Sequence, residues 1–391
     1  MQRLIDKYAR KLVTCGLCDP EGVLLGGLDA ELAWSGDGPA REVLEEVVAG
    51  LNINSILLAR PRGFLAPLVD RLARRALAGS GRVAPEDSES RTFLHDIPVI
   101  GQFRATPIIA ALKRRKNVLI PGRGVVTFGV VSPEQAFVHF SSVCFALFVK
   151  FCGDYLAARR RGENDGEEEE IMAGLVAYYE DLLARARDYP PPAAGPYRDR
   201  EETLAAITAA GKATVACGMV DSFFGNVSYL LEDTIYITQT TSSLDELAGC
   251  IDACPLDGSS CVGITASSEY TAHREVLEKS SRRAILHGHP RFAVILSMIC
   301  DVPDCPGRGN CHRVCHRERR AGTIPIAPGE PGTGRYGLAT TMPPYLKEHP
   351  GVIIYGHGIF TASDTGLDEA FRTLVETEEW CFRDYLRLAG R

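Results

Sequence analysis

"AILHGHPRFAVIL", residues 284–296, ends an apolar run on two histidines, His287 and His289, one residue apart. Side chains at i and i+2 of a strand share a face, so the pair suits either one metal ion or a polar strand end. The motif alone leaves both readings open. Further along, "GVIIYGHGIF" (351–360) places a third histidine, His357, after another apolar run. Earlier in the chain, "SILLARP" (55–61) repeats the pattern of "AILHGHP" (284–290), with Leu58 at the place of His287 and Arg60 at that of His289.

That likeness extends in both directions. "ARKLVTCGLCD" (9–19) resembles "AGKATVACGMVD" (210–221), and "REVLEE" (41–46) resembles "REVLEK" (274–279). "DIPVI" (96–100) resembles "TIPIA" (323–327), "NVLIPGRGVVTFG" (117–129) resembles "GVIIYGHGIFTAS" (351–363), and "EQAF" (134–137) resembles "DEAF" (368–371). Both series end on "DYL", at 154–156 and 384–386, and the order never changes. A tandem duplication of one domain accounts for this. The expected domains are 1–157 and 198–391. Between them, at 158–197, lies a linker with a charged stretch, "RRRGENDGEEEE", one helix, and a Pro-rich stretch, "YPPPAAGPY". Within each copy strands alternate with helices, which predicts the α/β class: two tandem α/β/α layered domains, each with helices on both faces of a sheet.

Composition narrows the function. A chain of 391 residues is long enough for two or three cores. A net charge of −7 leaves no basic surplus for phosphates, which argues against a nucleic-acid partner. "MQRLIDKYARKL" reads as an amphipathic helix rather than a signal peptide. The apolar run "SSVCFALFVKF" (141–151) reads as a buried helix too short to span a bilayer. The chain is therefore expected in the cytoplasm, with no membrane partner. Its 13 cysteines then favour metal ligation or buried thiols over a disulfide framework.

The first copy serves as a control for the histidines. Arg123 stands where His357 does, so all three histidines are absent together while the flanking strand and turn residues persist. Loss as a set fits one shared task, metal binding, in the second copy only. Three imidazoles on neighbouring strand ends leave a coordination position open, as a catalytic zinc site needs.

Four successive motifs, "FFGNVSYLLEDTIYIT" (223–238), "SSEYTAH" (267–273), "HGHP" (287–290) and "VIIYGHGIFTAS" (352–363), resemble those of the class II aldolase/adducin family. The likeness covers most of residues 200–391; the first copy resembles the same domain without its site. It implies Zn²⁺ or another divalent ion held by His287, His289 and His357, with Glu269 as catalytic acid/base. It implies a lyase or aldolase that makes or breaks a C–C bond in a small hydroxy-carbonyl substrate through a metal-stabilised enediolate. An epimerase, a dehydratase or a decarboxylase would use the same site, and adducin-like assembly without catalysis is the reading from a different class. Asn226, Thr240, Ser267 and Ser268 match positions that hold a substrate phosphate; a helix cap is the competing reading for the two serines. Homo-oligomers are common in the family, and a ring built from two duplicated chains is the corresponding expectation.

Two features depart from the family. Thr241 follows Thr240 where glycine is usual, which weakens the case for close backbone approach to a phosphate. Cys300, Cys305, Cys311 and Cys315 crowd a short segment that has no cysteine counterpart in the first copy. They are read as a second metal site, structural zinc or an iron–sulfur centre, or as uncommitted thiols. Tyr270 and Tyr336 are candidates by type for an acid on the leaving oxygen. Cys15 and Cys18 form an isolated C-x-x-C that fits core packing better than redox work.

Overall fold

The computed structural model describes residues 1–221, 223–302 and 304–391, with backbone only at 262. The chain divides into two compact units, one of Met1–Glu86 with Ser90–Tyr178, the other of Asp87–Glu89 with Tyr179–Arg391.

The first unit opens with α1 (Gln2–Thr14), whose Ile5, Tyr8 and Leu12 recur at helical spacing and are all buried. It continues through β1 (Cys18–Leu28), β2 (Leu32–Trp34), α2 (Arg41–Ala49), β3 (Ser55–Pro61), α3 (Leu65–Leu77) and β4 (Arg82–Val83). Next come α4 (Ser88–Phe93), whose first two residues count with the second unit, β5 (Ile97–Pro98), α5 (Ala105–Leu112), β6 (Asn117–Ile120) and β7 (Gly124–Gly129). Its main sheet has the order β2-β1-β3-β7-β6, antiparallel throughout. Ile56, Val118, Val126 and Phe128 pack on one face against Leu44 and Val47 of α2 and Ile108 and Leu112 of α5.

Helix α6 (Pro133–Arg161) covers the other face, together with α1 and α3. Proline opens it and Gly162, at φ +70°, closes it. The run 141–151 lies inside this helix, so it is longer than the sequence suggested. By length and composition α6 would cross a membrane, but 83% of its most apolar window is buried, as in a core helix. The charged stretch that follows is mostly helical: Arg159–Arg161 complete α6, and Glu167–Glu170 lie in α7 (Gly166–Asp188), which runs into the second unit at Tyr179. Arg71 binds Asp165, Glu167 and Glu168 at 2.7, 2.6 and 2.8 Å, so part of the acidic run is folded against α3.

The second unit contains α8 (Arg200–Ala216), β8 (Asn226–Leu231), β9 (Thr234–Thr238), β10 (Ile251–Pro255), α9 (Tyr270–Glu278) and β11 (Ala284–Gly288). After these come α10 (Arg291–Met298), β12 (Arg319–Ala321), β13 (Ile324–Ala327), α11 (Leu338–Thr341), α12 (Pro343–Glu348), β14 (Gly351–Ile354), β15 (Gly358–Ser363) and α13 (Leu367–Leu388). Asp199 caps α8, its carboxylate accepting from the Glu202 amide at 2.9 Å. The sheet order is β10-β9-β8-β11-β15-β14-β13-β12, and β13 with β14 is its parallel pair. Ile237, Ile285, Val352 and Phe360 pack on one face with Val276, Met342 and Leu346 of α9, α11–α12 and their junction. On the other face run α8, α10 and α13. This is a mixed α/β fold with helices on both faces of the sheet.

The two sheets share a central plan. Strands β9-β8-β11-β15-β14 follow the same order as β2-β1-β3-β7-β6. Ser55 pairs with Gly129 and Ala59 with Val125, while Ala284 pairs with Ser363 and Gly288 with Ile359. The β6–β7 turn holds Gly122 at φ +72°, and the β14–β15 turn holds Gly356 at φ +59°.

Candidate metal centre

Three neighbouring strands deliver the site. His287 lies one residue from the end of β11, opposite Asn226 of β8 and Phe360 of β15. His289 follows in the extended segment that Pro290 leads into α10. His357 occupies the β14–β15 turn, and Glu269 immediately precedes α9. Gly225 has φ +86°, and a Cβ there would lie 2.4 Å from the His287 carbonyl oxygen. Only glycine fits that approach, which explains the Gly-Asn step opening β8.

One ring nitrogen from each histidine can be chosen so that all three lie within 4.8 Å of one another. His287 Nε2 and His289 Nε2 are 3.0 Å apart. Zinc–nitrogen bonds of about 2.0–2.1 Å in a tetrahedron put two ligands about 3.4 Å apart, so this spacing suits one ion between them. His287 Nδ1 donates to the Ile359 carbonyl at 2.9 Å, which leaves Nε2 with its lone pair toward the cluster. His357 Nε2 lies 3.4 Å from Glu269 Oε1 and completes no hydrogen bond although it is buried. The three side chains are only 1%, 7% and 4% exposed, so water does not satisfy these nitrogens. A buried nitrogen set of this kind, in which the His357 nitrogens complete no hydrogen bond, fits a borderline-soft divalent ion.

Charge is arranged to match. Burial lowers the pKa of His287 and His289, with neighbouring imidazoles adding to the effect, so both rings are neutral, as ligation requires. Burial would raise Glu269, but His287, His357 and the Asn226 hydrogen bond outweigh it and hold the carboxylate well below its usual range. Asn226 Nδ2 donates to Glu269 Oε2 at 2.6 Å. Burial also works against protonation of His357, yet Glu269 and Glu89 on either side push it up to about 10. Glu89 Oε2 lies 3.1 Å from His357 Nδ1.

The cluster opens on a cleft of about 120 Å³ that Asn226, Thr240, Ser267, Ser268 and Glu269 also line. All the site residues expected on the aldolase-like motifs thus meet in one cavity. Asn226 is engaged with Glu269, so its immediate role is to orient that carboxylate. Ser267 Oγ accepts from the Glu269 amide at 3.3 Å, and α9 has no side-chain cap, which leaves Ser268 facing the cleft. Thr241 adopts φ +61°, the left-handed conformation that glycine takes at little cost. Sequence reasoning missed Glu89, Phe224 beside His289, and Gln239, which also lines the cleft.

The expected cysteine cluster finds no support in the arrangement of its side chains. Among the described residues, the three histidines are the group whose ligand atoms converge. Cys300, Cys305, Cys311 and Cys315 form no disulfide, and their sulfurs are not gathered as the histidine nitrogens are. Cys311 and Cys315 instead direct their sulfurs to carbonyls of their own segment, at Gly307 and Arg317. Tyr270 and Tyr336 do not line the clefts beside the triad. Burial and Asp19 push the Cys18 thiol up to about 12, which keeps it unreactive.

Residues 205–383 match the family described as Class II Aldolase and Adducin N-terminal domain. No curated protein matches the chain. Among solved structures, L-fuculose-1-phosphate aldolase from Thermus thermophilus is 25% identical, with 48% of this chain and 97% of that one covered at a TM-score of 0.39. A putative aldolase/epimerase/decarboxylase, YgbL, from Klebsiella pneumoniae is 22% identical over 48% of this chain and 90% of its own, at 0.39. A sugar-phosphate aldolase from Thermotoga maritima is 16% identical over 49% and 97%, at 0.36. Over residues 205–383, the chain is thus similar to the class II aldolase and adducin family.

Proposed function

We propose that the protein is a metal-dependent lyase that makes or breaks a C–C bond in a small hydroxy-carbonyl compound. The observation that carries this reading is the convergence of His287, His289 and His357 beside Glu269, within a region similar to this family. His287, His289 and His357 would hold zinc or another divalent ion through ring nitrogens. The ion supplies Lewis-acid charge for negative charge that develops on substrate oxygens. Glu269 moves the proton at its carboxylate oxygens, and Asn226 keeps one of those oxygens oriented. Thr240, Ser267 and Ser268 bind the remote end of the substrate with hydroxyl donors. That choice favours a phosphate, a carboxylate or a polyol end over an apolar one. Epimerisation, dehydration or decarboxylation would draw on the same groups. An assembly module without catalysis would have no use for this set of polar groups held out of water.

The test is a screen of the full-length protein, loaded with Zn²⁺, Co²⁺ or Mn²⁺, against phosphorylated and free ketoses and hydroxy acids. Aldehyde release that disappears in His289→Ala is the expected result. Turnover that survives that substitution would contradict the reading.

The chain is also read as a tandem duplication, with domains at 1–157 and 198–391 and a site in the second alone. The shared strand order and matching registers support it. Leu58, Arg60 and Arg123 at the histidine positions leave the first copy without ligands. A homo-oligomer built from two such chains is the accompanying proposal; a monomeric mass in solution scattering would contradict it.

A further inference from the structure

Residues Asp87–Glu89 lie far from the histidines in sequence but belong to the second unit. Their attachment is specific. The Ser88 amide donates to the Gly356 carbonyl at 2.7 Å, and Ser88 Oγ donates to the same oxygen at 2.8 Å. Gly356 in turn donates its amide to Ser297 Oγ at 2.8 Å. Gly356 sits at φ +59°, and a Cβ there would come within 3.0 Å of the Ser88 nitrogen and 3.4 Å of Asp87 Cα. The segment is therefore pinned to the turn that carries His357.

This brings Glu89 Oε2 to 3.1 Å from His357 Nδ1, the nitrogen opposite the one that faces Glu269. The distance is that of a hydrogen bond, but Nδ1 completes none in this conformation. For His287 the equivalent nitrogen is fixed by the Ile359 backbone carbonyl. His357 has a carboxylate in that place. A histidine ligand works as a neutral ring, and an acceptor on one nitrogen selects the tautomer that bares the other.

We propose that Glu89 is the positioning residue of His357: it accepts the Nδ1 proton and so presents Nε2 toward His287 and His289. The proposal rests on the reading of these histidines as a metal site. Its prediction is that Glu89→Ala weakens metal binding roughly 10- to 100-fold, the usual effect of removing such a partner. The measurement is chelator competition with Zn²⁺ or Co²⁺ on the full-length chain, with ¹⁵N NMR of labelled histidine in the Zn²⁺-loaded protein reporting the His357 tautomer. Glu89→Ala is expected to give a mixture of tautomers where the wild type gives one. Glu89→Gln, which keeps an acceptor oxygen, is expected to restore both the single tautomer and most of the affinity. If Glu89→Ala does not fold, Glu89→Asn serves in its place, because its oxygen falls one methylene short. Wild-type affinity and an unchanged tautomer in the shortened variant would overturn this proposal alone. A wild-type protein that binds neither ion would overturn it together with the metal-site reading.

Discussion

Glu269 is a partly buried carboxylate, fixed by Asn226 and close to two imidazoles, that faces the cleft. Glu269→Gln keeps its size and removes its proton chemistry. The expected loss in kcat is roughly 10²- to 10⁴-fold. Metal content is expected to persist because three nitrogens remain, and parallel metal analysis and turnover assays check both. Thr241 is the residue at which backbone and sequence disagree. At φ +61° an L-residue costs roughly 1–2 kcal/mol, and a β-branched one is the most strained. Thr241→Gly is therefore expected to be more stable than Thr241→Ala, as thermal melts of the two variants would show. The histidines were legible because Leu58, Arg60 and Arg123 supplied an internal comparison. Glu89 was not, because its relation to His357 depends on how one short segment folds back, and no local pattern encodes that.

At the scale of elements, the link between α13 and α10 holds the segment that follows the strand of His287 and carries His289. Glu378 of α13 is fully buried and accepts from the Phe292 and Ala293 amides at 2.8 Å each, and from the Tyr179 hydroxyl. It therefore caps α10, the helix that follows His289. Burial outweighs these hydrogen bonds and raises its pKa from 4.5 to about 7. The folded state thus holds this proton more tightly than the unfolded chain does. The resulting stability is complete below about pH 4.5 and is lost as pH rises through 7. The difference corresponds to about 3 kcal/mol. Urea melts at pH 5 and pH 8 are expected to differ less for Glu378→Gln than for the wild type; equal differences would contradict the assignment. The cysteine segment shows the opposite limit of sequence reading. Spacing suggested a cluster, but Cys311 and Cys315 find acceptors on their own backbone, which spacing cannot reveal.

For the whole molecule, the mixed α/β fold was legible in the sequence because strand and helix patterns recur in one order, and the sheet registers align the same residues. The helical content of the acidic stretch was harder to see. Its charges pair with Arg71 of α3, a long-range contact that makes a polar run structural. The central claim is that one chain carries one divalent-metal site, built by the second copy and absent from the first. Elemental analysis of the purified full-length protein, reconstituted with zinc and desalted, tests it directly alongside His289→Ala. One equivalent per chain in the wild type and a large loss in the variant is the predicted result. A full equivalent in His289→Ala, or two equivalents in the wild type, would contradict it.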